Sequence, residues 1–339
     1  MTAGADRNRF WRLDRHPRGN DFAAAFTLQS GAIPSPAANE VLIANEYLSL
    51  DAGTRLWMSP RTDTYQPPLP LGSGMRGLVL GRIVQSQLPG YPAGALVRAF
   101  GAWADYSCVD PLMSGLFVLD EKVSDVRQHL GALGMNGWTA YAGITEVGRT
   151  RPGETVLVSA AAGATGMLAA QIARVMGCRV IGLAGGERKC AFLREQLRLD
   201  AAVDYKSPRL AAQLDEFAGG IDVYFDNVGG PLLDEILPRM AHYGRIVVSG
   251  LLAAYSSERP MAPQRFDQVL MRRLTISGLF SPDFMSRGPA MTQILRRWLE
   301  SGLLQMPLEV TDGLDQVLGA YRRLFEGGNI GKVLVRLTR

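Results

Sequence analysis

A glycine-rich turn between an apolar strand and a helix is the sequence feature with the clearest chemistry. The apolar residues 156–158 run into Ala161, Gly163 and Gly166, a G-x-G-x-x-G pattern with alanine in the first glycine position. Gly163 would let the backbone approach a diphosphate, and Gly166 would let the helix pack closely on the strand. The N-terminus of that helix offers amides and a positive dipole end to phosphates. The pattern therefore predicts a nucleotide site rather than a merely structural turn.

The end of the second predicted strand bears on which nucleotide binds. An NAD enzyme usually carries an acidic residue there, about twenty residues after the turn, for the ribose 2′-hydroxyl. Here two glycines, the first being Gly185, follow the strand, and Glu187 comes only after them. The glycines leave room for a 2′-phosphate, to which Lys189 supplies positive charge, and we expect Tyr205 and Lys206 on the same rim. This pattern favours NADP(H). The alternative is that these residues are ordinary exposed residues of a helix start and a loop, with no role in cofactor binding.

Two later loops carry polar groups at the edge of the predicted sheet. Asn227 follows the fourth strand and Ser249, Gly250 and Leu251 follow the fifth. Because carboxyl ends of parallel strands face the ligand cleft, we expect Asn227 to contact the cofactor and the second loop to surround the nicotinamide. Tyr255 adds a phenol to that loop. Taken alone, the Asn227 turn could also lack a ligand, and a surface aromatic is the favoured interpretation of Tyr255.

Apolar runs that alternate with helical patterns between residues 128 and 303 place these loops. Such alternation predicts a doubly wound parallel sheet. The predicted strands are residues 155–159, 179–183, 202–205, 221–226, 245–249 and 274–278. The predicted helices are residues 167–176, 188–196, 209–217, 232–240 and 265–271.

The flanking segments have a different character. Residues 1–127 contain short β-like runs broken by proline and glycine, which predicts a β-barrel-like domain. The predicted strands there are residues 41–44, 78–84, 96–100 and 103–109. Residues 304–339 contribute a helix near 314–325 and a strand at 332–337. That strand needs a sheet to join, and the N-terminal domain is one choice.

Composition excludes several classes of protein. The 339 residues are 47% hydrophobic and 20% charged, as in a folded globular chain, and the net charge is +4. There is no dense basic stripe, and the arginines between residues 7 and 18 suit a solvated edge, so no nucleic-acid partner is expected. The three cysteines and three histidines are widely spaced, which predicts neither a disulfide framework nor a metal site.

The sequence shows no secretory signal, so we expect a cytoplasmic protein without a membrane partner. The N-terminal residues are polar and charged, unlike a secretory signal. Residues 155–173 carry no charge, which superficially fits a membrane span, but the glycines and polar residues within them favour a strand, a turn and a helix.

The whole pattern resembles the zinc-independent medium-chain dehydrogenase/reductases, in particular the prostaglandin/leukotriene reductase branch with its curcumin and alkenal double-bond reductases. The matching segments run almost from end to end: residues 47–51, 75–77, 134–141, 152–155, 160–166, 184–189, 205–206, 224–230, 244–246, 273–275 and 329–332. The resemblance implies an α/β protein with a GroES-like β-barrel domain over residues 1–127 and 304–339. A Rossmann doubly wound parallel sheet domain is expected over residues 128–303.

The resemblance also implies an activity. NADPH is the expected hydride donor, and the carbon–carbon double bond of a small α,β-unsaturated ketone or aldehyde is the expected acceptor, without zinc. A homodimer is expected through the nucleotide domain, with the segment at 274–280 as an edge strand. An NADPH:quinone reductase on the same fold and a non-catalytic NADPH-binding redox sensor remain alternatives.

Residue roles follow from the same resemblance. The expected cofactor-binding residues are Gly163, Ala164, Thr165, Gly166, Met167, Gly185, Lys189, Tyr205, Asn227, Ser249, Gly250, Leu251, Tyr255, Leu279, Phe280, Ser281 and Asn329. Tyr255 is also the expected catalytic residue, which stabilises the enolate and supplies a proton to the α-carbon, with water as the alternative proton source. The family's prolines after Asp51 and at Asn136 are absent, and residues 279–282 replace a segment that often lines the substrate pocket. The identity of the enone, enal or quinone stays open.

Overall fold

The computed structural model describes residues 7–255 and 261–337. Residues 1–6 of the predicted barrel domain, and residues 256–260 after the tyrosine loop, lie outside the described residues. The chain divides into two compact units. The first contains Met1–Leu130, Leu308–Gly328 and Lys332–Arg339, and the second contains Gly131–Pro307 and Asn329–Gly331.

The described residues form strands and α-helices joined by short 3₁₀ and π turns. The strands are β1 (Arg7–Leu13), β2 (Phe26–Ala32), β3 (Val41–Ser49), β4 (Arg76–Ser86), β5 (Leu96–Ala102), β6 (Tyr106–Val109), β7 (Phe117–Val118), β8 (Thr155–Val158), β9 (Arg179–Ala184), β10 (Ala201–Asp204), β11 (Ile221–Asp226), β12 (Met240–Val248), β13 (Thr275–Gly278), β14 (Leu308–Asp312) and β15 (Lys332–Arg336). The helices are α1 (Met135–Ala142), α2 (Ala164–Val175), α3 (Glu187–Ala191), α4 (Leu210–Asp215), α5 (Gly230–Ile236), α6 (Asp267–Arg272), α7 (Gly288–Glu300) and α8 (Val317–Glu326).

The first unit is built on a seven-stranded, mainly antiparallel sheet. Its strands follow the order β14-β15-β3-β4-β5-β7, with β6 also paired to β3. The C-terminal strand β15 pairs antiparallel with β3. It therefore joins the sheet of the N-terminal domain, which was one of the choices left open by the sequence. An aromatic cluster fills the core, in which Tyr321 packs edge-on against Phe22 and Trp103 at ring-centroid distances of 4.8 and 5.1 Å.

The hairpin of β1 and β2 was not among the predicted strands. These two strands pair along their length from Arg7 to Leu13. Arginines interrupt the apolar pattern of β1, which hides its strand character in the sequence. Arg9 forms an ion pair with buried Asp105 at 2.8 Å, so this arginine has a structural role beyond a solvated edge.

The second unit contains a six-stranded sheet in the order β10-β9-β8-β11-β12-β13. All of its paired strands are parallel, and the order reverses between β8 and β11. Ligands of such sheets bind beyond the carboxyl ends of the strands at this reversal. The sheet confirms the predicted fold class, and each of the six predicted strands overlaps an observed one.

Helix boundaries differ more from the sequence predictions. The predicted helix 232–240 ends as α5 at Ile236, because Pro238 follows in a 3₁₀ turn and Met240 already begins β12. Helices α1 and α7 were not predicted. In α7 only Gly288, Met291 and Leu295 are buried, so its apolar stripe is narrow.

The uncharged segment 155–173 folds as β8, the turn and most of α2. Among the described residues, no helix is long and apolar enough to cross a membrane.

Candidate active site

The turn after β8 brings a helix N-terminus close against the sheet. Ala160 has φ of +49°, a left-handed conformation that costs a non-glycine residue about 1–2 kcal/mol. Gly163 caps α2, and a Cβ on Gly166 would lie 2.4 Å from the Ala160 carbonyl oxygen. Position 166 therefore requires glycine for close packing. The first-turn amides, which have no partner within a helix, are the groups that suit phosphate oxygens.

A departure from the family pattern adds a contact to this turn. The side-chain amide of Asn136 donates a hydrogen bond to the Thr165 hydroxyl oxygen at 3.0 Å. Proline has no such donor, so the asparagine introduces a link between α1 and the first turn of α2. The remaining predicted turn residues, Ala164 and Met167, lie in the same turn, and the side chain of Met167 is fully buried.

A C-terminal segment lies beside the same turn. The Gly331 amide donates to the Ala162 carbonyl at 2.8 Å. Gly331 has φ of +80°, and a Cβ there would be 2.2 Å from the Pro307 carbonyl oxygen, so only glycine fits. Asn329 is 7% exposed and its amide donates to the Gly331 carbonyl at 3.0 Å. The structure therefore places Asn329 next to the glycine-rich turn after β8, where it binds the Gly331 segment.

Three residues form a rim beyond β9 and β10. A Cβ on Gly185 would lie 2.9 Å from the Tyr205 hydroxyl oxygen and 3.0 Å from Cε of Lys206. The Lys206 ammonium is 5.9 Å from the centroid of the Tyr205 ring, which is within the range of a cation–π contact. The glycine therefore makes room for two larger side chains. Tyr205 is 41% exposed and presents an aromatic face of the kind that can stack on a base.

Acidic groups near this rim are engaged in the protein. Asp204 ends β10, and its Oδ1 accepts the amides of Gly186 and Lys206, both at 2.9 Å. Glu187 forms an ion pair with Arg194. Lys189 lies in α3 and is half-buried. The rim carries lysines without an acid at the end of β9, as the sequence indicated. The structural role of Asp204 was not foreseen, because it depends on the return of the chain after α3.

Asn227 is tied to the end of β8 by two hydrogen bonds. Its amide nitrogen donates to the Ser159 hydroxyl at 2.8 Å, and its side-chain Nδ2 donates to the Ser159 carbonyl at 2.7 Å. Gly229 and Gly230 follow with φ of +65° and +59°, a backbone that favours glycine. The structure thus brings Asn227 directly beside the strand that precedes the glycine-rich turn.

The loop after β12 runs alongside the Asn227 loop. The amides of Ser249 and Gly250 donate to the Asp226 carbonyl at 2.8 and 3.1 Å. The Leu252 amide donates to the Asn227 carbonyl at 3.2 Å. Leu251 is 42% exposed between these contacts. The two loops therefore form one surface at the carboxyl edge of the sheet.

Tyr255 folds back over this surface. A Cβ on Gly250 would be 3.2 Å from the Tyr255 hydroxyl oxygen, so glycine leaves space for the phenol. Burial raises the pKa of Tyr255, a hydrogen bond from the Leu251 backbone lowers it, and the charge of Asp226 raises it. The pKa lies above its ordinary value as a result. Tyr255 is therefore a neutral hydrogen-bond donor at pH 7.

The segment after β13 divides into buried and exposed members. The Leu279 amide donates to the Val248 carbonyl at 2.9 Å, and its side chain is 9% exposed. The Ser281 hydroxyl lies 2.6 Å from the Thr139 hydroxyl. Phe280 is 38% exposed. The structure thus turns Leu279 into the core and leaves Phe280 as the side chain of this segment with most exposed surface.

Metal-binding and thiol chemistry have no visible basis in the described residues. No group of three His, Cys, Asp or Glu side chains lies together in residues 7–255 and 261–337. Burial raises the pKa of all three cysteine thiols, that of Cys178 to about 11. Independence from zinc stays a prediction.

The fold and these loops define a nucleotide-dependent dehydrogenase or reductase. Residues 9–117 match a family model described as the N-terminal domain of oxidoreductase, and residues 164–297 match one described as zinc-binding dehydrogenase. The chain is 35% identical to the NADPH-dependent curcumin reductase of Escherichia coli over 347 aligned residues, which cover 100% of this chain and 99% of that protein. It is also 35% identical to the NADP(+)-dependent 2-alkenal reductase of Nicotiana tabacum, with 89% and 88% of the two chains covered.

A solved structure is similar to this chain over almost its whole length. The crystal structure of CurA in complex with NADPH from Vibrio vulnificus is 33% identical, covers 98% of this chain and 99% of that chain, and superposes with a TM-score of 0.91. The chain belongs to the medium-chain dehydrogenase/reductases, in the branch of curcumin, alkenal and prostaglandin reductases. The predicted family and the predicted oxidoreductase class are confirmed.

Proposed function

We propose that this protein reduces the carbon–carbon double bond of α,β-unsaturated ketones or aldehydes with NADPH. The observation that carries the proposal is the half-buried phenol of Tyr255, which lies over Gly250 at the carboxyl edge of a Rossmann sheet and is neutral at pH 7. Two relatives identical in about a third of their residues are named as reductases of curcumin and of 2-alkenals. Such acceptors need a hydride at one carbon and a proton at its neighbour, and a neutral phenol suits the second requirement.

NADP(H) fits the residues of the second unit, and the dependence of the named relatives on NADPH supports it. A Cβ on Gly166 would lie 2.4 Å from the Ala160 carbonyl oxygen, so glycine there lets the N-terminus of α2 pack closely against the turn after β8. We assign the diphosphate to Gly163–Met167, and the 2′-phosphate and adenosine to Lys189, Gly185 and Tyr205. The nicotinamide half is assigned to Asn227, Ser249–Leu251, Tyr255, the segment Leu279–Ser281 and Asn329.

When bound, NADPH supplies a hydride to the β-carbon of the acceptor. Tyr255 holds its proton at neutral pH and donates a hydrogen bond to the oxygen on which enolate charge develops. The phenol then protonates the α-carbon and is reprotonated from solvent. Gly250 has no side chain, which leaves room for the phenol above its backbone. Most of the remaining rate enhancement comes from alignment of the two reacting carbons.

A homodimer is part of the proposal. Strand β13 lies at the edge of the sheet, and its Ile276 is 37% exposed. Apolar side chains on and just before helix α6 are also exposed: Phe266 by 59%, Leu270 by 74% and Met271 by 57%. Pairing of two β13 strands across a two-fold axis would satisfy the edge backbone and cover this apolar surface.

A substrate panel tests the proposed activity. NADPH oxidation is followed with enals, enones and quinones of graded size, and the products are identified by mass spectrometry. We expect saturated aldehydes or ketones from enals and enones, formed with one NADPH per double bond. Turnover of quinones without turnover of any enone would replace the proposal with a quinone reductase. NADPH binding without turnover of any acceptor would favour a non-catalytic nucleotide sensor.

A further inference from the structure

Asp226 is a buried carboxylate at the end of β11 for which the reaction has no direct use. Its side chain is fully buried, with 0% exposure. The Oδ1 atom accepts hydrogen bonds from the Tyr224 hydroxyl at 2.8 Å and the Ser159 hydroxyl at 3.1 Å. It also accepts the backbone amides of Val228 and Gly229, both at 2.9 Å. One oxygen atom therefore collects four donors.

The main chain of Asp226 extends this network to the tyrosine loop. Its carbonyl accepts the amides of Ser249 and Gly250 at 2.8 and 3.1 Å. Ser159, the side-chain partner of Asp226, in turn binds the amide of Asn227 at 2.8 Å. Asp226 thus connects the end of β8, the Asn227 loop and the Ser249 loop. The last two are segments that the proposed function assigns to the nicotinamide half of NADPH.

The carboxyl group lowers the stability of the folded protein at this position. The second oxygen, Oδ2, is buried and receives no hydrogen bond from the described residues. A buried carboxylate with an unpartnered oxygen destabilises a core relative to an apolar side chain. Burial accordingly raises the pKa of Asp226. A group retained against this cost needs a role other than core packing.

We propose that the Asp226 carboxyl is the positioning group that holds the Asn227 loop in register for the nicotinamide, and with it the Ser249 loop, whose Leu252 and Ala253 amides donate to the Asn227 and Val228 carbonyls. The proposal rests on the proposed function for the location of that half of the cofactor. A carboxyl oxygen suits the task because two converging amides and two hydroxyls require a strong acceptor. Gly229 and Gly230 supply the left-handed backbone that turns the amides toward it. The side chain itself does not touch the reacting atoms.

Substitution of Asp226 separates this role from core stability. In Asp226→Ala the Asn227 loop loses its side-chain acceptor, while the main-chain carbonyl that binds the Ser249 loop remains. We therefore expect the Kd for NADPH to rise by about tenfold or more and kcat to fall. In Asp226→Asn the amide oxygen retains the place of Oδ1, so Kd should stay within about threefold of wild type. NADPH binding is measured by fluorescence well below the unfolding midpoint of each variant.

Asp105→Ala is the matched control. Asp105 is also a buried carboxylate, 3% exposed, and it binds Arg9 in the first unit. Its loss should lower the unfolding temperature without a change in the Kd for NADPH. If Asp226→Ala behaves in the same way, with stability reduced and NADPH affinity at the wild-type value, Asp226 is a structural residue only and the proposal fails.

A second variant covers the case in which Asp226→Ala does not fold. Ser159→Ala removes one donor to Oδ1 and the acceptor of the Asn227 amide, so we expect a Kd raised about threefold to tenfold. Wild-type affinity in folded Ser159→Ala would overturn the proposal. A wild-type protein that binds no NADPH would instead reject the proposed function, so the two failures are distinguishable.

Discussion

Removal of the Tyr255 hydroxyl tests the proposed chemistry with the smallest possible change. The hydroxyl oxygen lies in the space above Gly250 and accepts a hydrogen bond from the Leu251 backbone. Tyr255→Phe keeps the ring and its packing while it removes the donor. The substitution removes one hydrogen bond, so the cost in stability should be about 1 kcal/mol.

The expected loss of rate follows from the removal of a single donor. One hydrogen bond to a developing enolate stabilises the transition state by about 1.4–2.7 kcal/mol, which is about 10–100-fold in kcat. The Kd for NADPH should change little, because the hydroxyl acts on the acceptor. Quinone reduction places no proton on carbon, so any quinone turnover should fall less and serves as the internal control.

The assay is steady-state oxidation of NADPH with an enone, next to fluorescence titration of NADPH. Unchanged enone turnover in folded Tyr255→Phe would remove Tyr255 from the mechanism and leave water as the proton source. A parallel loss of NADPH affinity and turnover would assign the phenol to cofactor packing instead.

Further predictions concern pH, cofactor, metal and assembly. The neutral form of Tyr255 is the donor and its pKa is raised above 10, so kcat should show no fall from this group between pH 7 and 9, and a decline in that range would contradict the assignment. Lys189→Ala should weaken NADPH binding by about 10–150-fold, the loss of one charge-assisted contact of about 1.5–3 kcal/mol, and NADH binding far less; equal effects on both nucleotides would refute the 2′-phosphate site. Exhaustive chelation should leave activity intact, whereas stoichiometric zinc lost together with activity would refute independence from zinc. Light scattering should give a dimer mass at micromolar concentration and a monomer mass for Ile276→Arg, which puts a charge on the exposed edge strand; a wild-type monomer would exclude the dimer.

Local patterns were sufficient to predict the strand, turn and helix of the glycine-rich turn to which we assign the diphosphate. Gly163 and Gly166 are close in sequence, and their spacing alone encodes a turn that packs a helix on a strand. The β1 hairpin was missed because arginines obscure its apolar pattern. Helix α7 was missed because few of its positions are buried.

Contacts between distant residues were beyond sequence reasoning. Ser159 and Asp226 are 67 positions apart, and Asn136 and Thr165 are 29 apart. Only the folded chain brings such pairs together, so the four hydrogen bonds that Asp226 accepts could not be predicted from the sequence. Asn136 is recognisable there only as a departure from the family's proline, with no indication of its partner.

Transfer of deuterium from labelled NADPH tests directly whether the protein delivers a hydride to the β-carbon of an enone. Wild-type protein is incubated with an enone and NADPH that carries deuterium at the transferable position of the nicotinamide C4, and the product is analysed by NMR. We expect a saturated ketone with deuterium at the former β-carbon and a solvent-derived proton at the α-carbon. An allylic alcohol with deuterium on the carbonyl carbon, or no transfer to any enone tested, would contradict it.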